Sequence, residues 1–225
     1  METPGEDLYP DIHDKGGLVP ALEAKAKSEV IDLGTVTSPY PAGPGWFSTA
    51  QLESSRGRIT VELDGRSRTF HLGIQGEGFS WAHGATDDFQ ELVEALAAWR
   101  AGMRVADFTD RFPFISPGRL AKVHEADDPT SAQWAWLLGA EGYEVERPLL
   151  KAVHDDGRFR TLFPTLSHGT LRLNWAGGRQ GARELHITPL AGGGYQVEDT
   201  VGAGPRVVTS LPKAIAAAAE SLTSG

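Results

Sequence analysis

The sequence predicts an α+β protein built from two related units, each a helix, a set of antiparallel strands and a closing helix, joined by a helical middle segment. Three observations carry this expectation. The nonapeptide Phe-Pro-x-(Ile/Leu)-Ser-x-Gly-x-Leu occurs twice, at 112–120 and 163–171, and self-similarity of this kind marks related structural units. Apolar residues alternate with polar ones in several short stretches of both halves, the period of a half-buried strand. Helically spaced apolar stripes stand before and after those stretches.

Taken in order, residues 1–16 are polar with scattered Pro and Gly, and read as a flexible tail. The N-terminal unit is placed at 17–102. Leu18, Leu22, Ala26 and Val30 recur at helical spacing, and the Pro/Gly cluster at 38–45 marks a loop. Ile59, Val61 and Leu63 alternate with Thr60 and Glu62, and Asp64-Gly65 supplies a hairpin turn. Phe70, Leu72 and Ile74 continue the period of two, as do Phe79 and Trp81 beyond the Gly-rich turn at 76–78. Asp87, with Gln90 three residues on, predicts a helix N-terminus, with Phe89, Leu92, Val93, Leu96 and Trp99 or Arg100 on the core stripe and Gly102 as the stop.

A helical connector is expected over 103–146. It holds a short amphipathic turn at 103–110 and a helix begun by Asp128-Pro129, whose apolar face is Trp134, Leu137 and Leu138. The C-terminal unit, 147–225, opens on a helix with Leu149, Leu150 and Val153 inward. Leu171, Leu173 and Trp175 then alternate with Arg172 and Asn174, followed by strands at Leu185–Ile187–Pro189, Tyr195–Val197 and Val207–Val208. Ser210 caps a last helix with Ile215, Ala218, Ala219 and Leu222 inward. The nonapeptide itself reads as a device that stops a helix and redirects the chain. Phe112 and Phe163 plug the core, Pro113 and Pro164 end the preceding stretch, and Gly118 and Gly169 permit positive φ.

Composition narrows the function classes. The net charge of −9 disfavours binding to nucleic acid or to an anionic membrane. With no cysteine, disulfides, thiolate catalysis and Cys-based zinc sites are all excluded. No apolar run approaches the ~20 residues a membrane helix requires. Neither a basic nor an apolar region marks residues 1–7 as a signal peptide, so a cytoplasmic location is expected. The seven histidines show neither His-x-x-x-His nor His-x-His spacing, so no metal and no cofactor is expected. The glycines at 73, 76 and 78 lie between strands and open no helix, which removes a phosphate loop. Gly-x-Ser-x-Gly is absent. The acidic pairs at 87–88, 127–128 and 155–156 lie at helix ends, where carboxylates serve the helix dipole or a turn.

Ser167-His168-Gly169 looks catalytic in isolation, yet the first copy of the nonapeptide has Pro117 where His168 stands. If the strands of the second half pair in order, Arg172, Asn174 and His186 share one polar face with Glu184 or Glu198. Such a face can bind a polar ligand or partner. Trp136 lies off the apolar stripe of its helix and is the exposed-aromatic candidate.

The segments Trp134-Ala-Trp136-Leu-Leu, Arg147-Pro-Leu-Leu and Leu162-Phe-Pro-Thr-Leu-Ser-His-Gly-Thr-Leu-Arg172 resemble an uncharacterised actinobacterial family. It is largely from Streptomyces and is described as natural product biosynthesis proteins. The resemblance covers roughly 80–222 and is strongest at 132–175. This chain has Thr165-Leu166 where the family pattern has Phe-Thr. What the resemblance implies is an accessory setting in secondary metabolism. It implies no reaction and carries over no catalytic residue.

The leading expectation is therefore a non-catalytic binding or accessory protein of a biosynthetic or toxin–antidote gene cluster, with a protein, peptide or small metabolite as partner. Its ligand surface would comprise Trp136, His168, Arg172, Asn174 and His186. One alternative is a small cofactor-independent cyclase or lyase using His168 as acid/base and Arg172 as anion clamp. Another is an immunity protein that sets its acidic surface against a basic toxin.

Overall fold

The computed structural model describes residues 4–179, 181–202 and 204–223, so the first three residues of the expected tail lie outside the described residues. The chain divides into two compact units, residues 1–122 and 123–225. Both are helix-backed antiparallel sheets, so the α+β class and the pairing of two sheet units are as the sequence predicts.

In the first unit, helices α1 (Pro10–His13) and α2 (Leu18–Glu29) precede strand β1 (Val36–Thr37) and helix α3 (Gly43–Ser48). Then come β2 (Thr49–Ser54), β3 (Gly57–Leu63), β4 (Phe70–Gln75) and β5 (Ser80–Thr86). Helices α4 (Phe89–Arg100) and α5 (Val105–Arg111) and strand β6 (Ile115–Pro117) complete it. The sheet runs β1-β2-β3-β4-β5-β6, each pair antiparallel. Alternation sends Ile59, Val61, Phe70, Leu72, Ile74 and Ala82 into a core shared with Leu22, Leu92, Leu96, Trp99 and Phe108 of the helices.

The flexible tail is corrected by this unit. Tyr9 and Ile12 are fully buried. The Tyr9 hydroxyl accepts from the Thr69 N–H at 2.8 Å and lies 2.8–3.0 Å from the carbonyls of Asp64, Ser67 and Thr69. Arg68 adds a two-pronged ion pair to Asp11 at 2.7 and 2.9 Å, with its guanidinium over the Tyr9 and Phe70 rings. Hydrogen bonding to Arg68 holds the Asp11 carboxyl below its usual range. Three local expectations also shift. Val30 is not inward but caps α2 in the left-handed region at φ 59°, 94% exposed. The loop expected over 38–45 gives way to α3 at Gly43. The cap of α4 is Asp88, whose carboxylate accepts from the N–H groups of Gln90 and Glu91, with Thr86 buttressing Glu91.

The expected connector 103–146 is not a separate segment. Val105 and Phe108 of α5 belong to the first core. Helix α6 (Ala121–His124) spans the boundary, and α7 (Pro129–Gly139) sends Trp134 and Leu137 into the second core. The second unit continues with α8 (Arg147–Asp155) and a 3-10 turn at Gly157–Phe159. Strands β7 (Phe163–Ser167), β8 (Thr170–Asn174), β9 (Glu184–Pro189), β10 (Tyr195–Asp199) and β11 (Arg206–Val208) follow, then α9 (Leu211–Thr223). Its sheet is a simple meander ordered β11-β10-β9-β8-β7. Leu171, Leu173, Leu185, Ile187 and Val197 pack against α7, α8 and α9, where Leu149, Leu150, Val153 and Ala218 are buried. Arg183 clasps Asp199 at 2.6 Å and donates to the Ser221 carbonyl of α9, tying the last helix to the sheet. That hydrogen bond keeps the Asp199 carboxyl below its usual range.

Candidate binding face of the second unit

Because strand side chains alternate, the face of the second sheet opposite its helices is written by the register. Thr165 pairs with Arg172, Arg172 with His186, and His186 with Glu198. On one side of this row lie Ser167, Thr170, Thr188 and Gln196; on the other lie Phe163, Asn174 and Glu184. Arg172, Asn174 and His186 thus share one face with both Glu184 and Glu198. The side chains do different jobs there.

His186 Nε2 and Glu184 Oε2 are 2.8 Å apart, both half-buried. Burial raises the Glu184 carboxyl, but hydrogen bonds from His186 and Asn174 and the charges of His186 and Arg172 outweigh it and hold the carboxyl below its usual range. Asn174 is 1% exposed, and its hydrogen bonds turn inward. Its Nδ2 donates to the Arg179 carbonyl and Glu184 Oε1, while its Oδ1 accepts from the N–H groups of Ala176 and Gly178. It organises the β8–β9 connection and offers nothing to a ligand. Phe163 lies on the same face yet is buried, covered by the His124 ring at 5.4 Å and by the backbone of Gly178. That burial pushes the His124 imidazole below its ordinary pKa. By contrast, Arg172 is exposed, and neither it nor Glu198 makes a side-chain hydrogen bond among the described residues.

His168 does not join the row. It sits with Gly169 in the two-residue turn between β7 and β8, exposed, with φ 50° at His168 and 76° at Gly169. Positive φ at both central residues is the requirement of a type I′ hairpin, whose usual occupants are Asn-Gly. Its Nδ1 is 3.0 Å from the Ser167 hydroxyl, a contact within the turn. The layer of Thr170 and Thr188, whose hydroxyls are 3.0 Å apart, stands between His168 and Arg172. Trp136 is also placed elsewhere. It is half-buried against the second core, edge-on to Tyr143 at 5.9 Å, rather than an exposed platform. Sequence reasoning missed the hydroxyl layer of Ser167, Thr170 and Thr188. The alternation around Leu171 and Ile187 carried the signal for it.

The fold and face define a two-unit α+β protein whose second unit presents a polar sheet face, exposed at Arg172 and covered at Phe163 and Asn174. A family model described as a family of unknown function (DUF6193) matches residues 128–225, from the cap of α7 onward, so the match falls on the second unit. It takes in Trp134, Arg147 and the 162–172 stretch. No curated protein and no solved structure matches the chain. No helix among the described residues is long and apolar enough to cross a membrane.

Proposed function

We propose that the chain is a non-catalytic binding or accessory protein serving an actinobacterial natural-product biosynthetic or toxin–antidote gene cluster, and that the open face of its second sheet receives a protein or peptide partner. The observation that carries the reading is the register-aligned row Thr165–Arg172–His186–Glu198. In it His186 is satisfied by Glu184 of the flanking layer, while Arg172 and Glu198 on either side of His186 lack side-chain hydrogen bonds among the described residues. A guanidinium on β8 and a carboxylate on β10, held either side of β9, fix the register and orientation of a partner carrying the opposite pattern. The setting in secondary metabolism rests on the resemblance of the 132–175 stretch. The turn conformation of His168 and its separation from Arg172 weigh against the acid/base alternative.

The test presents the full chain with the products of genes flanking its own. Binding of one of them, lost in the Arg172→Glu/Glu198→Lys double variant and kept in Lys151→Ala on the exposed side of α8, supports the reading. A flanking-gene substrate turned over by the chain, with turnover abolished by His168→Ala, refutes it.

A further inference from the structure

The open face of the first sheet carries a groove that nothing above uses. Gly73 of β4 has Thr60 and His83 as cross-strand partners, and His71 has Glu62 and Ala85. The central block of this face therefore alternates imidazole and near-absent side chain in both directions, with His71 opposite Ala85 and His83 opposite Gly73. The result is an open groove of about 630 Å³, with Phe114 and Ser116 of the first nonapeptide at its β6 side.

Three features state what it fits. The two imidazoles stand on a diagonal of the sheet, roughly 7–8 Å apart at the backbone. One flat ring laid on Gly73 and Ala85 can therefore face both. Phe114 is half-buried and braced edge-on by Phe112 at 6.1 Å, which supplies an aromatic wall. Among the described residues that line it, Glu62 is the one carboxylate; it is exposed and makes no hydrogen bond, no Lys or Arg lines the groove, and the His71 Nε2 lies 3.5 Å from Asp64 Oδ2.

We propose that this groove is a small-molecule site for a one- or two-ring planar aromatic that carries an amino, amidino or guanidino cation. The ring lies over Gly73 and Ala85 between His71 and His83, and the cation faces Glu62. The site is independent of the partner face on the second sheet, and either can fail without the other.

Benzamidine is the probe, with uncharged benzamide as its control, titrated into the full chain while backbone amide resonances are followed. The expected result is saturable movement of the Gly73, His83, Ala85 and Ser116 amides, with benzamidine bound more tightly than benzamide. Gly73→Val fills the floor. A Cβ there meets only Gln75 Nε2, at 3.9 Å, and φ lies outside the left-handed region, so the strand is retained. This variant should lose at least about tenfold in affinity, the equivalent of ~1.4 kcal/mol. Glu62→Gln should weaken benzamidine about threefold or more and leave benzamide unchanged. Movement centred elsewhere, equal binding of the two probes, or undiminished binding by Gly73→Val overturns the proposal.

Discussion

In the first unit Phe112 caps α5 and the chain runs on into β6, the edge strand beside β5. In the second, Phe163 itself begins β7, the edge strand beside β8. Both phenylalanines are plugs, 2% and 1% exposed. Both copies place a proline inside an edge strand, Pro117 in β6 and Pro164 in β7, where a missing N–H is tolerated. The glycines part company. Gly118 has no positive φ; a Cβ there would fall 1.8 Å from the Ser80 carbonyl oxygen, so it is glycine for close approach to β5. Gly169 has φ 76°, and a Cβ there would meet only Glu146 Oε1 at 3.9 Å, an ordinary contact, so it is glycine for backbone conformation. The same letters thus answer two different physical demands, and the His168 that looked like chemistry belongs to the second of them.

The comparison can be broken at its strongest point first. Phe112→Ala and Phe163→Ala should each cost about 3–5 kcal/mol in chemical denaturation, since each empties a closed aromatic site. A loss below ~1 kcal/mol at either would end the claim that the copies share a plug. The glycines should separate the copies. Gly118→Ala must displace backbone and should cost about 2–3 kcal/mol. Gly169→Ala pays only for the left-handed conformation and should cost ~1 kcal/mol. Equal losses would show that one cause governs both. The smallest effect is the most informative about His168. Asn accepts the left-handed region more readily than His, so His168→Asn should change stability by no more than ~0.5 kcal/mol, in the stabilising direction.

Strand positions in both sheets were legible because Ile59–Val61–Leu63, Phe70–Leu72–Ile74 and Leu171–Leu173 repeat every second residue, the period of a half-buried strand and not of a helix. The shared polar face of Arg172, Asn174 and His186 followed from the same alternation once the strands paired in order. The anchored N-terminus was hidden because Tyr9 and Ile12 stand in a largely polar stretch, and the partners of the Tyr9 hydroxyl, Asp64, Ser67 and Thr69, lie far along the chain. The choice between Asp87 and Asp88 as cap needed geometry, because a doublet offers the same chemistry at both places. Trp136 was misjudged because an off-stripe aromatic was assumed to face solvent, whereas Tyr143 in the next loop half-covers it. The fate of Asn174 depended on the 175–183 loop folding back on it. The groove in the first unit depends on register alone, since Gly73 and Ala85 become neighbours only when β4 and β5 pair.

The most direct measurement compares the affinity of the full chain for the flanking-gene product proposed as its partner in two variants. His168→Asn alters the turn, and Arg172→Glu with Glu198→Lys reverses the open row. The account predicts affinity within about twofold of the parent for the first and a loss of at least about tenfold for the second. Binding that survives the reversal but collapses in His168→Asn would contradict it.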